Sequence, residues 1–278
     1  MADEELIQRL ILRYNSLSKG NLKYSVRLIE LITVVPTTLA IWRAYGLGST
    51  LRYLAGLTTA LIAQRVFLSA MIRKIGPEQS SLADMLTLSR AATGAVLAGL
   101  VASGIRDRNG TAGWIGWLMP LLGVTDWFDG PLARRAGPTY LRDVLDIEAD
   151  SWLTLWSAAG AIAWGKLPRW CLLPPIIHYL EPLLALKQGK LPHGGGPWWY
   201  RTIGASQMAI LIVALAPIDW RQRKQILTAV SLPVSGAQCA AIFIHLIMKH
   251  QESQGKSLFL LTSSQLQMQF SQLILVHR

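Results

Sequence analysis

Along the 278-residue chain, apolar runs the length of a bilayer crossing alternate with short polar connections. A membrane helix needs about 20 predominantly apolar residues. Eight segments come near that length: 28–45, 51–72, 82–105, 111–128, 145–165, 167–186, 203–218 and 226–248. The last is the cleanest, with no charged residue between Lys224 and Lys249. Glu30, Arg43, Gln64 and Arg65 interrupt the first two, which read either as spans or as an interfacial hairpin. The connections carry turn chemistry, as in Ile75-Gly76-Pro77-Glu78, Arg106 to Gly110 and Gly194-Gly195-Gly196-Pro197. Trp198, Trp199 and Tyr200 follow the last of these and read as an aromatic anchor at headgroup level. Beyond Lys249 the chain turns Gln- and Ser-rich, as a surface helix or a disordered tail. The pattern predicts an all-α, polytopic membrane helix bundle.

Composition supports this. Half the chain is apolar (51%) and only 15% is charged, against about 25% in a soluble domain. Mean hydropathy is +0.33. These values exclude a disordered chain, a coiled coil and a disulfide-stapled module. Cys171 and Cys239 sit inside apolar runs and read as small buried hydrophobes. No signal peptide is expected, because Met1 to Glu5 is acidic and no small-residue cleavage site follows a short apolar run. The net charge is +11, but Lys and Arg are spread between apolar runs rather than gathered on one face. That disfavours nucleic acid and fits loops flanking membrane helices. With eight spans and the N-terminus inside, inner segments hold 16 Lys and Arg and outer ones 9, with Arg65 and Arg90 within helices. The bias puts the 129–144 loop in the cytoplasm.

The acidic residues change the picture. Of 16, six fall between Asp126 and Asp150: Asp126, Asp129, Asp143, Asp146, Glu148 and Asp150. Ionisable groups at membrane depth are costly and usually functional. Asp126 and Asp129 are three apart, Asp146 and Asp150 four apart, so on helices each pair shares a face. Two antiparallel helices joined by a short loop would bring both pairs together. Four carboxylates in one low-dielectric site repel unless protonated or neutralised by cations. Carboxylate-only ligation suits hard ions such as Mg²⁺ or Mn²⁺. Gly130 and Ala133 keep one face small beside the acids, and Arg134 adds a fork-shaped anion binder. Cations, a small-residue groove and an arginine together suit a phosphate or pyrophosphate group.

At these residues the chain resembles the CDP-alcohol phosphotransferases. Their signature is D-x-x-D-G-x-x-A-R, eight residues, then G-x-x-x-D-x-x-x-D. The first half is complete as Asp126, Asp129, Gly130, Ala133 and Arg134, and Asp146 and Asp150 keep the spacing of the second. The intervening stretch is one residue short, and Arg142 occupies the glycine slot. Upstream, Asp84, Thr87 and Arg90 echo the family's N-x-x-T-x-x-R, with Asp in place of Asn.

The resemblance implies a six-helix core over 80–249, preceded by an arm and N-terminal helical hairpin in 1–79 and followed by a polar tail in 250–278. It implies two divalent ions, Mg²⁺ or Mn²⁺, held by Asp126, Asp129, Asp146 and Asp150. Gly130, Ala133 and Arg134, with Thr87 and Arg90, would border the CDP and phosphate groups. Asp150 would also be the general base. The implied reaction moves a phosphatidyl group from a CDP-linked lipid, such as CDP-diacylglycerol, to a small alcohol, releasing CMP in phospholipid biosynthesis. A cytoplasmic active site and a homodimer are further expectations. Arg142, Arg201, Lys187 and Lys190 lie in loops on the expected active side, which tilts the acceptor toward a phosphorylated alcohol such as glycerol 3-phosphate. Arg142 and Arg201 are the candidate acceptor-binding residues. The alternatives are a transporter or channel with an acidic cation site, and a catalytically silent relative.

Overall fold

The computed structural model describes residues 22–75, 82–105, 140–180, 182–183, 197–216 and 221–248. These residues are helical and contain no strand. We label the helices α1 (Leu22–Ile75), α2 (Leu82–Ser103), α3 (Tyr140–Ala163), α4 (Leu173–His178), α5 (Trp198–Leu215) and α6 (Arg223–Met248). Three are long and apolar enough to cross a membrane: Arg27–Ala70 within α1, Asp84–Ser103 and Arg223–Met248. The expected segment 111–128 lies outside the described residues.

α1 is two helices joined at a corner. Gly46 has φ 73° and ψ −178°, a conformation costly for any residue with a Cβ. The two arms run back along each other. Thr37 Oγ1 meets Tyr53 OH at 2.7 Å, and further from the corner Arg65 pairs with Glu30. Two of the charges that interrupt the first two apolar segments, Glu30 and Arg65, therefore neutralise each other across the hairpin.

α2 is the central helix. Small residues let the hairpin approach it closely, as in membrane helix pairs generally. A Cβ at Gly99 would come within 2.7 Å of the Tyr53 ring, and one at Gly56 within 2.4 Å of Ala102 Cβ. Ala60, Ala95 and Ala98 are buried in the same seam. On its other side α2 meets α3, where a Cβ at Gly94 would lie 2.8 Å from the Trp152 ring. Tyr53, Leu97, Leu100, Leu153 and Leu211 belong to one core cluster spanning the hairpin, α2, α3 and α5. By contrast Leu31, Ile32, Trp42, Leu47, Ile62 and Val66 on the hairpin are exposed. So are Leu232, Phe243 and Ile247 on α6, which gives those helices apolar outer faces suited to lipid.

Segment 167–186 departs from one unbroken span. Its described part is a 3₁₀ turn, Arg169–Leu172, running into the short α4. Pro168 precedes the turn and Pro174-Pro175 fill the first positions of α4. Proline lacks an amide hydrogen, so it is tolerated in a first helical turn and breaks a helix interior. α5 begins at Trp198, earlier than its apolar run suggests. Its C-terminus is closed by Arg223, whose guanidinium donates to the carbonyls of Val213, Ala214 and Ala216. A cation there satisfies carbonyls that a helix end leaves unpaired and complements the helix dipole. Cys171 is buried and Cys239 half-buried.

Candidate active site

The site is built on the facing sides of α2 and α3. Asp84, Thr87 and Arg90 recur every three residues along α2, and all three are buried. Asp146 and Asp150 are one helical turn apart on α3, so their side chains share a face. Arg90 joins the helices. Its side chain is 2% exposed, against 45% for Asp146 and 41% for Asp150. One guanidinium nitrogen pairs with Asp146 Oδ1. Nε lies 3.4 Å from Asp150 Oδ1. The same Nη2 that meets Asp146 is 3.4 Å from Thr87 Oγ1. A buried arginine needs anionic partners, and here both are the aspartates singled out by the motif.

Asp146 and Asp150 open into a cleft of about 610 Å³, within the range of about 300–1,000 Å³ typical of small-molecule sites. Its opposite wall comes from α5, where Arg201, Gly204, Ala205, Met208 and Ala209 recur at helical spacing. The small residues leave the space, and Arg201 places a cation across from the two acids. His178 and Tyr200 complete this wall. His178 Nδ1 and Tyr200 OH are 3.1 Å apart, and the Tyr200 ring stacks on His245 with centroids 4.9 Å apart.

The structure therefore brings Arg90, Asp146, Asp150 and Arg201 to one cleft, with Thr87 directly behind Arg90. Asp126, Asp129, Gly130, Ala133 and Arg134 lie outside the described residues, as do Lys187 and Lys190. Arg142 falls in the first turn of α3, where side chains also lie outside the described part. Tyr200 differs from the expected headgroup anchor: it turns inward to the cleft wall, whereas Trp198 is exposed. His178, Tyr200 and Gln238 were not legible as site residues, because they come from three helices far apart in sequence. The one available signal was the small-residue stripe of α5 in register with Arg201.

Among the described residues no group of three or more His, Cys, Asp or Glu gathers as a metal cluster. The pair Asp146 and Asp150 offers an oxygen-only donor set that half-faces an open cleft, which is chemistry that fits a hard divalent cation.

The family model of the CDP-alcohol phosphatidyltransferases matches residues 80–267. The chain belongs to that family. The match starts at the helix carrying Asp84, Thr87 and Arg90, and excludes the N-terminal hairpin. It runs past 249 to include part of the polar tail. No curated protein and no solved structure matches the chain significantly. Family and fold together make it a membrane protein and a transferase acting on a CDP-alcohol. Members of the family generally use divalent metals.

Proposed function

We propose that this multi-pass protein transfers a phosphatidyl group from a CDP-linked lipid, such as CDP-diacylglycerol, to a small alcohol, and releases CMP. The observation that carries the reading is the Arg90 bridge, which holds Asp146 and Asp150 side by side at the mouth of a cleft with a cation on its far wall. An arginine fork is planar and permanently charged, so it fixes two carboxylates in one register.

In this reading Asp150 accepts the proton of the acceptor hydroxyl. The oxygen then forms a bond to the lipid-side phosphorus of the pyrophosphate, the bond to the bridging oxygen breaks, and CMP departs with that electron pair. Asp150 works by position, held beside the acceptor by the Arg90 bridge. Asp126, Asp129, Asp146 and Asp150 would hold two divalent ions, Mg²⁺ or Mn²⁺, whose chemistry there is to offset charge on the pyrophosphate and the leaving phosphate. Gly130, Ala133 and Arg134 would border the cytidine and phosphates, with Thr87 and Arg90 behind them. Arg201, with Arg142 at the start of α3, would hold the acceptor, which favours a phosphorylated alcohol such as glycerol 3-phosphate. The active site would open to the cytoplasm, the units would be 1–79, 80–249 and 250–278, and the enzyme would work as a homodimer in phospholipid biosynthesis.

The test is a reaction of the purified protein with labelled CDP-diacylglycerol, Mg²⁺ or Mn²⁺ and a panel of alcohols, read as CMP release and lipid product. Asp150→Asn and Asp129→Asn should each lower turnover by about 10²–10⁴-fold while the protein still inserts. Turnover that survives both changes, or that persists in chelator, would rule the mechanism out.

A further inference from the structure

Tyr200 stands one residue before Arg201 in the first turn of α5 and lines the same cleft as Asp146 and Asp150. Two histidines from two other helices hold it there. His178, at the end of α4, brings Nδ1 within 3.1 Å of the Tyr200 hydroxyl. His245, on α6, stacks on the Tyr200 ring with centroids 4.9 Å apart and planes 29° apart. His178 and Tyr200 are half-buried on the cleft wall. His245 is buried, at 8% exposed.

Each histidine constrains a different freedom of the phenol. Stacking fixes the plane of the ring, and the imidazole nitrogen fixes the direction of the hydroxyl. A contact group held in this way by its neighbours meets a ligand with little further ordering cost. An aromatic anchor among headgroups needs no such restraint.

The wall offers two kinds of contact side by side. Arg201 is a permanent cation and suits a phosphate. A phenol hydroxyl is neutral and has one donor and two acceptor sites, so one bond to His178 engages only part of its capacity. It matches a group that itself donates and accepts, which is an alcohol hydroxyl. An ionised phosphate oxygen only accepts, and an ammonium only donates. Gly204 and Ala205, one helical turn beyond Tyr200 and Arg201, keep the wall low at this point and leave space for a compact polar molecule.

We propose that Tyr200 is a specificity-determining residue that reads a second, unreactive hydroxyl on the acceptor, beside the phosphate held by Arg201, with His178 and His245 as its positioning residues. The acceptor class is then a phosphorylated polyol, rather than a phosphorylated alcohol whose reacting hydroxyl stands alone. The inference rests on the transferase reading for the wall that receives the acceptor.

The experiment uses the full chain in nanodiscs with Mg²⁺ and two probes. One is glycerol 3-phosphate. The other is its deoxy analogue, which keeps the phosphate and the terminal hydroxyl but lacks the middle one. Affinities are measured by ligand-observed NMR without CDP-lipid, and KM and kcat from CMP release with CDP-diacylglycerol present. Wild type should favour glycerol 3-phosphate about threefold to tenfold in affinity and in KM, the worth of one neutral hydrogen bond, with similar kcat. Tyr200→Phe keeps the ring that stacks on His245 and removes only the hydroxyl. It should abolish the preference by weakening glycerol 3-phosphate while leaving the analogue unchanged. His178→Ala should reduce the preference, and His178→Gln, which can still bond the phenol, should restore it. Arg201→Ala should weaken both probes equally. A merely structural Tyr200 would move both probes together in Tyr200→Phe, and that result would overturn the proposal. So would equal affinity of wild type for the two probes, binding of neither, or a preference that survives in both Tyr200→Phe and His178→Ala. A preference in binding without any CMP release would keep the hydroxyl contact and overturn the transferase reading alone.

Discussion

Arg65 and Arg90 both sit inside apolar helices, and in the sequence each has the same appearance of an interruption. Arg65 lies on the hairpin, 53% exposed, and pairs with Glu30, which is 14% exposed. Arg90 lies in the central helix, almost wholly enclosed, and pairs with two aspartates that face open space. In the first pair the cation is the more exposed partner, and its role is complete once the hairpin closes. In the second the cation is buried and the anions are presented outward. That inversion separates an ion pair that stabilises helices from one that presents reactive groups. A buried guanidinium is expensive, and the arrangement is intelligible if the gain is a fixed pair of carboxylates at the cleft.

The largest effect should come from Arg90. Arg90→Leu removes the partner of both aspartates and leaves two half-exposed carboxylates one helical turn apart without a counter-charge, a loss of about 3 kcal/mol. Thermal melts in detergent should fall sharply and CMP release should vanish. Arg90→Lys separates stability from chemistry. It keeps the charge but loses the planar fork that reaches two carboxylates at once, so the melt should recover in part while turnover stays at least about 10²-fold down. If Arg90→Lys turns over like wild type, the bridge is only a structural pair and the contrast with Arg65 disappears.

A smaller effect is expected at the seam that attaches the hairpin. A Cβ at Gly99 would stand 2.7 Å from the Tyr53 ring and 2.8 Å from the Tyr53 carbonyl oxygen. The backbone oxygen cannot swing away as a side chain can. Gly99→Ala should therefore push the hairpin off α2 at a cost of about 1–3 kcal/mol, visible as faster proteolysis within 22–75. The cleft residues lie on other faces, so turnover per folded molecule should hold within a few-fold. Loss of turnover at unchanged protease resistance would show that the hairpin acts on the cleft directly.

How much of this was legible follows from the range of the forces involved. Helix positions were readable because apolar run length is a local property. The hairpin was anticipated, but not its corner: Gly46 is one of several glycines, and only its φ of 73° marks it. The partnership of Asp146 and Asp150 was readable from their spacing, and Arg90 from its need for an anion. That the two needs satisfy each other was not, because 56 residues separate Arg90 from Asp146 and the helix-to-helix register is set by Gly94 against Trp152. The break in 167–186 was written in Pro168, Pro174 and Pro175, but hydropathy alone outweighed it. The α5 wall was missed for a different reason. Tyr200 beside two tryptophans reads as an interfacial anchor, and only the packing of α4 and α6 gives it His178 and His245 as neighbours.

The smallest effect should come from the hairpin pair, and its pattern matters more than its size. Arg65→Leu leaves the Glu30 carboxylate without its partner in a half-buried place, and Glu30→Leu leaves a guanidinium alone beside lipid. Either single change should lower the melt by an amount equivalent to about 1 kcal/mol. The double variant leaves no unpaired charge and replaces the pair by apolar groups, a change that is often neutral or stabilising. It should therefore melt close to wild type, with turnover unchanged. The equivalent removal at Arg90, Asp146 and Asp150 could restore a melt but never turnover. A double-mutant cycle in nanodiscs with CMP release measured alongside reads both quantities. Should the Glu30/Arg65 double variant lose turnover while melting normally, the hairpin pair would join the working machinery, and the division between the two arginines would have to be redrawn.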